Sequence, residues 1–332
     1  MEGLLNNAWL ILSAHFALAF ISAGHALLYK RDPRAALGWI AVSFAYPILG
    51  PLLYYLFGIN RLRTRAHQIK GKPMRRLRIG YEGPEWIKPA VRDLQLPELV
   101  GDPVLSALAR SAAAVTHRTL VGRNRLQPFF SGEEAYAAML QAIESARISV
   151  CLATYLFETN KSGLQFIDAL VAAERRGVQV YVLLDGFGEW YSLPRAGSLL
   201  KAEGISVARF IPPRILPPAI HVNLRNHRKL LVVDGVVGFT GGMNIGDRHL
   251  RGRPGRRNET ADIHFRIEGP VVEQLRAVFE EDWYFAARKK LEHVCPPTGN
   301  AGNSICRVVT DGPNEDLGKL AMIISGAVSL AQ

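Results

Sequence analysis

The chain has 332 residues, of which 48% are hydrophobic and 21% charged, and its mean hydropathy is +0.07. This composition excludes a disordered protein and is slightly too apolar for a simple soluble enzyme, so part of the chain is expected to lie in lipid. The length fits about two domains of ordinary size. The three cysteines are widely spaced and form no CxxC pair, which disfavours a disulfide scaffold and a zinc module.

The net charge of +11 belongs mostly to the N-terminal end. Residues 1–80 hold eleven lysines and arginines against two carboxylates, so they contribute +9 and the remaining residues about +2. The weak charge of the remainder gives little sign of nucleic-acid binding. The basic stretch 61–78 is expected either to attract anionic lipid head groups or to act only as a topology signal.

Two uncharged apolar runs predict a membrane hairpin. Residues 8–29 contain no Asp, Glu, Lys or Arg, and their length is close to the roughly 20 residues that cross a hydrocarbon core. A cleaved signal peptide is disfavoured because no basic residue precedes the run. The second run, 35–59, is interrupted by two prolines and a glycine, so it either spans with a kink or enters and returns. His15 and His25 are expected to serve helix packing.

The positive-inside rule gives the predicted orientation of this hairpin. Three cations lie in the loop between the two runs and eight follow the second run. The larger group favours placing the C-terminal part of the chain in the cytoplasm, although the loop argues the other way.

The region after residue 100 alternates between helical and extended patterns. Residues 80–100 are rich in proline and charge and are expected to form a linker. The predicted elements are helices over 133–147, 163–176, 199–203 (capped by Ser198) and 273–283, and strands over 148–157, 178–184 and 207–211. This alternation predicts an α/β fold in which a sheet with parallel neighbours is flanked by helices. The sequence DGFG at 185–188 is not a dinucleotide site, because Trp190 and Tyr191 stand where a third glycine is needed.

The segment 226–247, NHRKLLVVDGVVGFTGGMNIGD, carries the chemistry. His227 and Lys229 alternate along a predicted strand, which places both side chains on one face within reach of one phosphate. A neutral imidazole can attack phosphorus, while an ammonium neutralises the non-bridging oxygens. Asp234 and Gly235 predict a turn before a returning strand over 236–240.

Two further features of this segment suit a phosphate ligand. Gly241 and Gly242 allow the backbone to approach a ligand closely, and the Asn244 amide can donate a hydrogen bond.

These spacings resemble the HxKxxxxD and GGxN pattern of the phospholipase D superfamily, and the apolar hairpin resembles that of its bacterial cardiolipin synthases. The phrases YLFETN, RRGVQVYVLLDG, NLRNHRKLLVVDG and FTGGMNIGD extend the resemblance from about Leu126 to the C-terminus. The resemblance implies a phospholipase D-like mixed sheet preceded by a transmembrane hairpin.

The resemblance also implies roles for individual residues. It makes His227 the nucleophile that forms a phosphohistidine, and Lys229, Gly242 and Asn244 phosphate-binding residues. Asp234 is counted with the catalytic motif, although its implied role is mainly to hold the turn. Asp262 matches a strand carboxylate that accepts a hydrogen bond from the other imidazole nitrogen and fixes its tautomer. No metal and no cofactor are expected.

The chain departs from this family in carrying the motif once, where members carry one copy in each of two similar halves. Residues 317–332 predict a helix whose tail parallels 142–147, so a second repeat is expected to begin near 311. We therefore expect a fragment of a longer enzyme, whose second copy would supply a general acid. A homodimer that brings two His227 side chains together is the alternative.

The expected domains are two membrane segments within 1–60, a basic stretch and linker over 61–125, the first phospholipase D-like domain over 126–310 and a truncated repeat over 311–332. The expected function is cardiolipin synthesis from two phosphatidylglycerol molecules, by a multi-pass protein of the bacterial inner membrane with a cytoplasmic catalytic domain. Phospholipid or nucleic-acid hydrolysis and an inactive lipid-binding half remain alternatives. The arginines clustered after the motif bear on hydrolysis, because they could bind head groups or nucleic acid, or be solvated; they are Arg248, Arg251, Arg253, Arg256 and Arg257.

Overall fold

The structure, a computed structural model, describes residues 2–30, 33–59, 103–213, 225–250, 261–291, 295–310 and 318–330. These residues fall into two compact units, an N-terminal unit that includes the residues up to 59 and a larger unit that contains a β-sheet. The predicted basic stretch at 61–78, the predicted linker at 80–100 and all of the clustered arginines except Arg248 lie outside the described residues.

The N-terminal unit is a helical hairpin. It consists of α1 (Glu2–Tyr29), α2 (Pro33–Ala45) and α3 (Leu49–Leu53), which continues as one π-helical turn over Tyr54–Gly58. Among the described residues, one helix, in the window Leu12–Tyr29, is long and apolar enough to cross a membrane. The second run breaks at residues 46–48, beside Pro47, as its composition predicts. A Cβ at Gly50 would lie 2.1 Å from the Val42 carbonyl oxygen, so this break requires glycine there.

The two histidines of α1 connect the arms of the hairpin. His15 is 3% exposed, and its Nδ1 accepts a hydrogen bond from the Ile48 N–H (3.3 Å). Its Nε2 lies 3.3 Å from the Phe44 carbonyl oxygen. His25 Nδ1 lies 2.7 Å from the Tyr54 hydroxyl. Both side chains therefore have the packing role expected from the sequence, and His15 satisfies backbone groups that the helix break leaves open.

The second unit is built on one eight-stranded mixed sheet in the order β4-β3-β2-β5-β6-β7-β1-β8. Its strands are β1 (Val121–Phe129), β2 (Ser149–Thr154), β3 (Gln179–Asp185), β4 (Ser206–Phe210), β5 (Leu230–Val233), β6 (Val237–Gly241), β7 (His264–Glu268) and β8 (Ser304–Cys306). Strands β2, β3 and β4 are parallel, whereas β5, β6, β7 and β1 continue from β2 as antiparallel neighbours. The predicted α/β fold with parallel neighbours is confirmed.

Helices cover both faces of the sheet. The helices of this unit are α4 (Pro103–Thr116), α5 (Gly132–Ser145), α6 (Lys161–Arg175), α7 (Ala196–Ala202), α8 (Val271–Ala287) and α9 (Lys319–Leu330). Val180 and Val182 of β3 point into the core shared with α5, α6 and α7. The intervening Tyr181 packs against Trp283 of α8, with ring centroids 5.2 Å apart, so α8 covers the opposite face.

Some elements differ from the sequence prediction. Helix α4 and the start of strand β1 lie in the stretch 61–125 that was predicted to be a basic segment and linker. Strand β1 is formed by its antiparallel pairing with β7. Helix α7 begins after Arg195, so Ser198 does not cap it. The predicted terminal helix is α9, and among the described residues several of its large apolar side chains are exposed, including Leu320, Ile324 and Val328.

Candidate active site

Segments from six strands meet at one edge of the sheet. Because β2, β3, β6 and β1 run one way while β5 and β7 run the other, the carboxyl ends of the first four and the amino ends of the last two lie together. This edge is called the site edge. His227 and Lys229 precede β5, Gly242 and Asn244 follow β6, and Asp262 precedes β7, so the sheet brings five of the six predicted residues to one edge.

His227 and Lys229 share Tyr155 as a neighbour. The predicted strand begins only at Leu230, so His227 and Lys229 lie in the segment that enters β5 rather than within the ladder. The Tyr155 ring stacks on the His227 imidazole, with centroids 4.2 Å apart and an interplanar angle of 15°. The Lys229 ammonium lies 5.7 Å from the centroid of the same ring and donates a 2.6 Å hydrogen bond to the His227 carbonyl oxygen. Both groups are therefore held beside one aromatic surface.

The surroundings favour a neutral imidazole. Partial burial and then the Lys229 ammonium lower the pKa of His227; Asp185 raises it and Arg225 lowers it further. Burial also lowers the pKa of Lys229, while Asp262 raises it. An imidazole with a lowered pKa is unprotonated near neutral pH and has a free electron pair for attack on phosphorus.

The entry to β5 is fixed by buried polar contacts that the motif itself does not reveal. Asp185 Oδ2 accepts the Asn226 N–H (3.1 Å), and the Asn226 side chain donates to Asp282 (2.9 Å). Arg228 donates to both carboxylate oxygens of Asp282 at 2.6 Å. The residues on both sides of His227 are thus anchored, which limits the positions that the imidazole can take.

The Asn244 amide is oriented by its own backbone neighbours. Its Oδ1 accepts the Leu156 N–H (3.1 Å), so the amide nitrogen is directed away from that contact and can donate to a ligand. Its carbonyl accepts a 2.5 Å hydrogen bond from the Tyr136 hydroxyl, and its N–H donates to His249 Nε2 (3.1 Å). At Gly242, a Cβ would lie 2.0 Å from Asp262 Oδ1, so the close approach expected there is made to Asp262.

Asp262 lies beside a histidine other than the one expected. Its Oδ2 is 3.5 Å from His249 Nδ1, and its Oδ1 accepts the Ile263 N–H (2.8 Å). Among the described residues, no hydrogen bond joins Asp262 to His227. It also lies before β7 rather than within it. Burial lowers the pKa of both Lys229 and His249, and the Asp262 carboxylate opposes this by raising both values.

Asp234 lies at the opposite end of β5, about 16 Å from Lys229 by strand geometry. Its carboxylate accepts the N–H groups of Arg147, Ile148 and Ser149 at 2.7 to 3.2 Å. Asp234 and Gly235 are the central residues of the turn between β5 and β6, with φ of 52° and 70°, and the Val236 N–H closes the turn on the Val233 carbonyl oxygen. In this structure Asp234 holds the start of β2 and the β5–β6 turn, and it lies away from the site edge.

Sequence reasoning missed Tyr155, Asp282 and His249. The only local signal for Tyr155 is its place directly after a buried strand, in the phrase YLFETN. Among the described residues, no group of three or more His, Cys, Asp or Glu side chains is arranged to hold a metal ion.

Two family models match the chain. Residues 139–283 match the model described as cardiolipin synthase, PLD-like domain, and residues 17–58 match the model described as phospholipase D-nuclease N-terminal. Together with the mixed sheet and the site edge, these matches define a phospholipase D-like domain. Residues 139–283 thus match a phospholipase D-like domain model, and the chain as a whole is similar to cardiolipin synthases.

The chain is also similar to individual proteins. The chain is 31% identical over 283 residues to cardiolipin synthase of Alkalihalophilus pseudofirmus, covering 84% of this chain and 55% of that protein. It is 30% identical over 299 residues to cardiolipin synthase A of Pseudomonas aeruginosa, covering 89% and 59%. The chain thus spans little more than half the length of these curated relatives. The crystal structure of Nuc, a phospholipase D family member from Salmonella typhimurium, aligns with TM-score 0.38 and 22% identity over 49% of this chain and 96% of Nuc.

Proposed function

We propose that this chain carries the nucleophilic site of a cardiolipin synthase-type phosphatidyltransferase, which moves a phosphatidyl group from one phosphatidylglycerol to another. The observation that carries the proposal is the joint placement of His227 and Lys229 against Tyr155 at the site edge. The names of the relatives support the choice of lipid.

The first step forms a phosphohistidine. One nitrogen of the neutral His227 imidazole attacks the phosphorus of the first phosphatidylglycerol, and the bond from phosphorus to the glycerol head group breaks. The departing oxygen takes the electron pair and a proton from a general acid, which releases glycerol. Lys229 and the Asn244 amide balance the charge on the non-bridging oxygens.

The second step transfers the group. The free hydroxyl of a second phosphatidylglycerol gives its proton to a base and attacks the phosphorus, and the bond to His227 breaks. The products are cardiolipin and regenerated His227. One imidazole cannot both attack and protonate the leaving group, so the reaction needs a second acid–base group. We assign it to a second HxK motif, from further sequence or from a second copy of this chain.

Trapping the intermediate tests this proposal. The full chain is incubated with phosphatidylglycerol carrying labelled phosphate and quenched under conditions that preserve phosphohistidine. We expect label on the peptide 226–234, and none in His227→Asn. His117→Asn is the matched control, because His117 is exposed and lies outside the site edge. An active preparation with no label on that peptide would refute the role of His227.

Hydrolysis is less well supported than transfer. Of the arginines that could bind nucleic acid after the motif, the structure describes Arg248, and its guanidinium is paired with Glu158. Water as the acceptor would use the same phosphohistidine, so product analysis of the trapping reaction separates phosphatidic acid from cardiolipin.

We also propose that the hairpin is multi-pass and that the sheet unit faces the cytoplasm of a bacterial cell. The support for two passes is the hairpin of α1 with α2 and α3, in which α1 is long and apolar enough to span. The support for the orientation is the excess of cations after the second run. A reporter that is active only in the cytoplasm, fused after residue 332, should be active. Activity of a reporter that works only outside the cytoplasm would reverse the orientation.

A further inference from the structure

The loop after β3, residues 186–195, exposes large apolar side chains at the site edge and is called the aromatic loop. Its sequence is GFGEWYSLPR, and it includes a 3-10 helix over Gly188–Tyr191. Trp190 is 57% exposed, Tyr191 59% and Leu193 82%. Single exposed apolar residues are ordinary, but three within four positions form a patch that calls for a partner.

The aromatic loop is held firmly although its tip is exposed. Glu189, which is 2% exposed, makes two hydrogen bonds to the Arg209 guanidinium, at 2.5 and 2.9 Å. Asp185 Oδ1 accepts the N–H groups of Phe187 and Gly188 at 2.9 and 3.0 Å. These anchors direct the apolar side chains outward and keep them from folding back into the core.

The far side of the loop is anchored as well. The Thr159 N–H donates to the Ser192 hydroxyl (2.9 Å), and the Thr159 hydroxyl donates to the Pro194 carbonyl (2.9 Å). Thr159 belongs to the segment that follows β2, so the loop is fixed to the chain on which Tyr155 also lies.

The aromatic loop is continuous with the candidate active site. Asp185, which accepts the loop N–H groups of Phe187 and Gly188, also accepts the N–H of Asn226, the residue directly before His227. On the other side of the site, at the ends of β1 and β7, Phe130 is 60% exposed and Ile263 38%. Apolar side chains therefore flank His227 from both directions along the site edge.

The composition of the aromatic loop fits a bilayer interface. Tryptophan and tyrosine prefer the level of the lipid head groups, where one end of the ring system meets water. The Arg195 guanidinium lies 4.2 Å from the centroid of the Trp190 ring, so a cation accompanies the exposed ring. A cation beside exposed aromatic and aliphatic groups complements an anionic lipid surface.

We propose that the aromatic loop inserts into the interfacial layer of an anionic bilayer and holds the site edge against the lipid surface. The proposal deepens the proposed function and rests on it for the choice of lipid. Docking of this kind would let a phosphatidylglycerol head group reach His227 while its acyl chains stay in the membrane.

Fluorescence quenching of Trp190 tests the proposal without requiring turnover. The full chain is reconstituted in phosphatidylglycerol vesicles with or without bromine on the upper acyl carbons. The emission of the wild type minus that of Trp190→Phe isolates Trp190 from the other four tryptophans of the chain. We expect bromine to reduce this difference emission. Equal emission in both vesicles would overturn the proposal.

Two charged substitutions sharpen the result. Leu193→Asp should restore the emission of Trp190 in brominated vesicles, because a carboxylate resists transfer into the interface. Val328→Asp is the matched control, since Val328 is 69% exposed but lies on α9, and it should leave the quenching unchanged. If the emission of Trp190 depends on the number of protein molecules per vesicle and not on bromine, Trp190 contacts a protein partner. That result would overturn the bilayer assignment. Because quenching needs no catalysis, an active preparation in which Trp190 is quenched but the peptide 226–234 carries no label would refute the role of His227 and leave the insertion of the loop supported.

Discussion

Tyr155 determines the surroundings of the nucleophile. Its ring covers one face of the His227 imidazole at 4.2 Å and excludes water from that face, while the Lys229 ammonium lies at the same ring. Burial is the largest cause of the lowered pKa of His227, with Lys229 second. In the proposed mechanism the neutral imidazole is the reactive form, so label transfer should fall as pH drops through this lowered pKa, on the acid side of the ordinary value of about 6.5.

Replacing Tyr155 should therefore shift the acid limb of the pH–rate profile, which is the pH range over which label transfer is lost as pH falls. In Tyr155→Ala the imidazole is more hydrated, so its pKa rises and label transfer is lost at a higher pH than in the wild type. Tyr155→Leu keeps an apolar cover and should retain the wild-type limb, with a rate about three- to ten-fold lower because the stacking contact is lost. The measurement is the rate of phosphohistidine formation between pH 4.5 and 8. The same limb in all three proteins would contradict the argument.

Asn244 can be tested with an almost isosteric change. In Asn244→Asp the side chain still accepts the Leu156 N–H, but it loses the amide donor and places a negative charge beside the phosphate. We expect a melting temperature close to that of the wild type and a loss of at least about a hundred-fold in label transfer, the scale of removing one donor to a developing charge. Unaltered transfer in a folded Asn244→Asp protein would remove Asn244 from the site.

The β5–β6 hairpin depends on Asp234 at its far end. The carboxylate accepts three backbone N–H groups at the start of β2, whereas an asparagine amide offers one oxygen and a competing donor. Asp234→Asn, which tolerates the positive φ, should lower the free energy of unfolding by about 1 to 3 kcal/mol. The rate of label transfer per folded molecule should change little. Thermal unfolding followed with the trapping assay measures both, and a folded protein of unchanged stability that cannot be labelled would show a catalytic role instead.

The elements with strong apolar periodicity could be predicted from sequence. Helix α6 and strand β3 lie within two residues of their predicted bounds. Helix α8 contains the predicted helix 273–283, and its Leu275, Val278 and Phe279 are buried. Strand β1 could not be found, because Gly122, Asn124 and Pro128 interrupt its pattern and its form comes from pairing with β7. Tertiary pairing overrides local preference in such strands.

The active site was predictable to the extent that its chemistry is local in sequence. His227 and Lys229 directly precede β5 and Asn244 follows β6, and these adjacent strands are joined by a turn, so spacing alone brings the three residues together. Tyr155 reaches His227 because β2 pairs with β5, and Asp282 of α8 reaches Asn226 because α8 packs on the sheet. The spacing of residues in the sequence indicates neither contact. The sequence did not predict that the His249 side chain is buried, and Asp262 lies beside that side chain.

At the scale of the whole molecule, the proposed transfer needs a proton for the departing glycerol. The sequence contains the HxK motif once, and in the proposed mechanism Lys229 and Asn244 balance charge and do not deliver a proton to the leaving alkoxide. If this chain acts without a second motif, its rate should depend steeply on how readily the leaving group departs unprotonated. A phosphatidyl ester of nitrophenol should then label His227 rapidly, while phosphatidylglycerol labels it slowly.

The state of assembly separates the two sources of the acid. If a second copy supplies the imidazole, the preference for the nitrophenyl ester should shrink as the chain dimerises, and mixing His227→Asn with wild type should restore the preference in proportion to the mixed dimers. If further sequence supplies it, dilution and mixing should leave the preference unchanged, and only a longer polypeptide with another HxK motif should remove it. Rates for the two substrates across a range of protein concentrations decide between them, because a missing general acid slows the departure of an alkoxide far more than that of a phenolate.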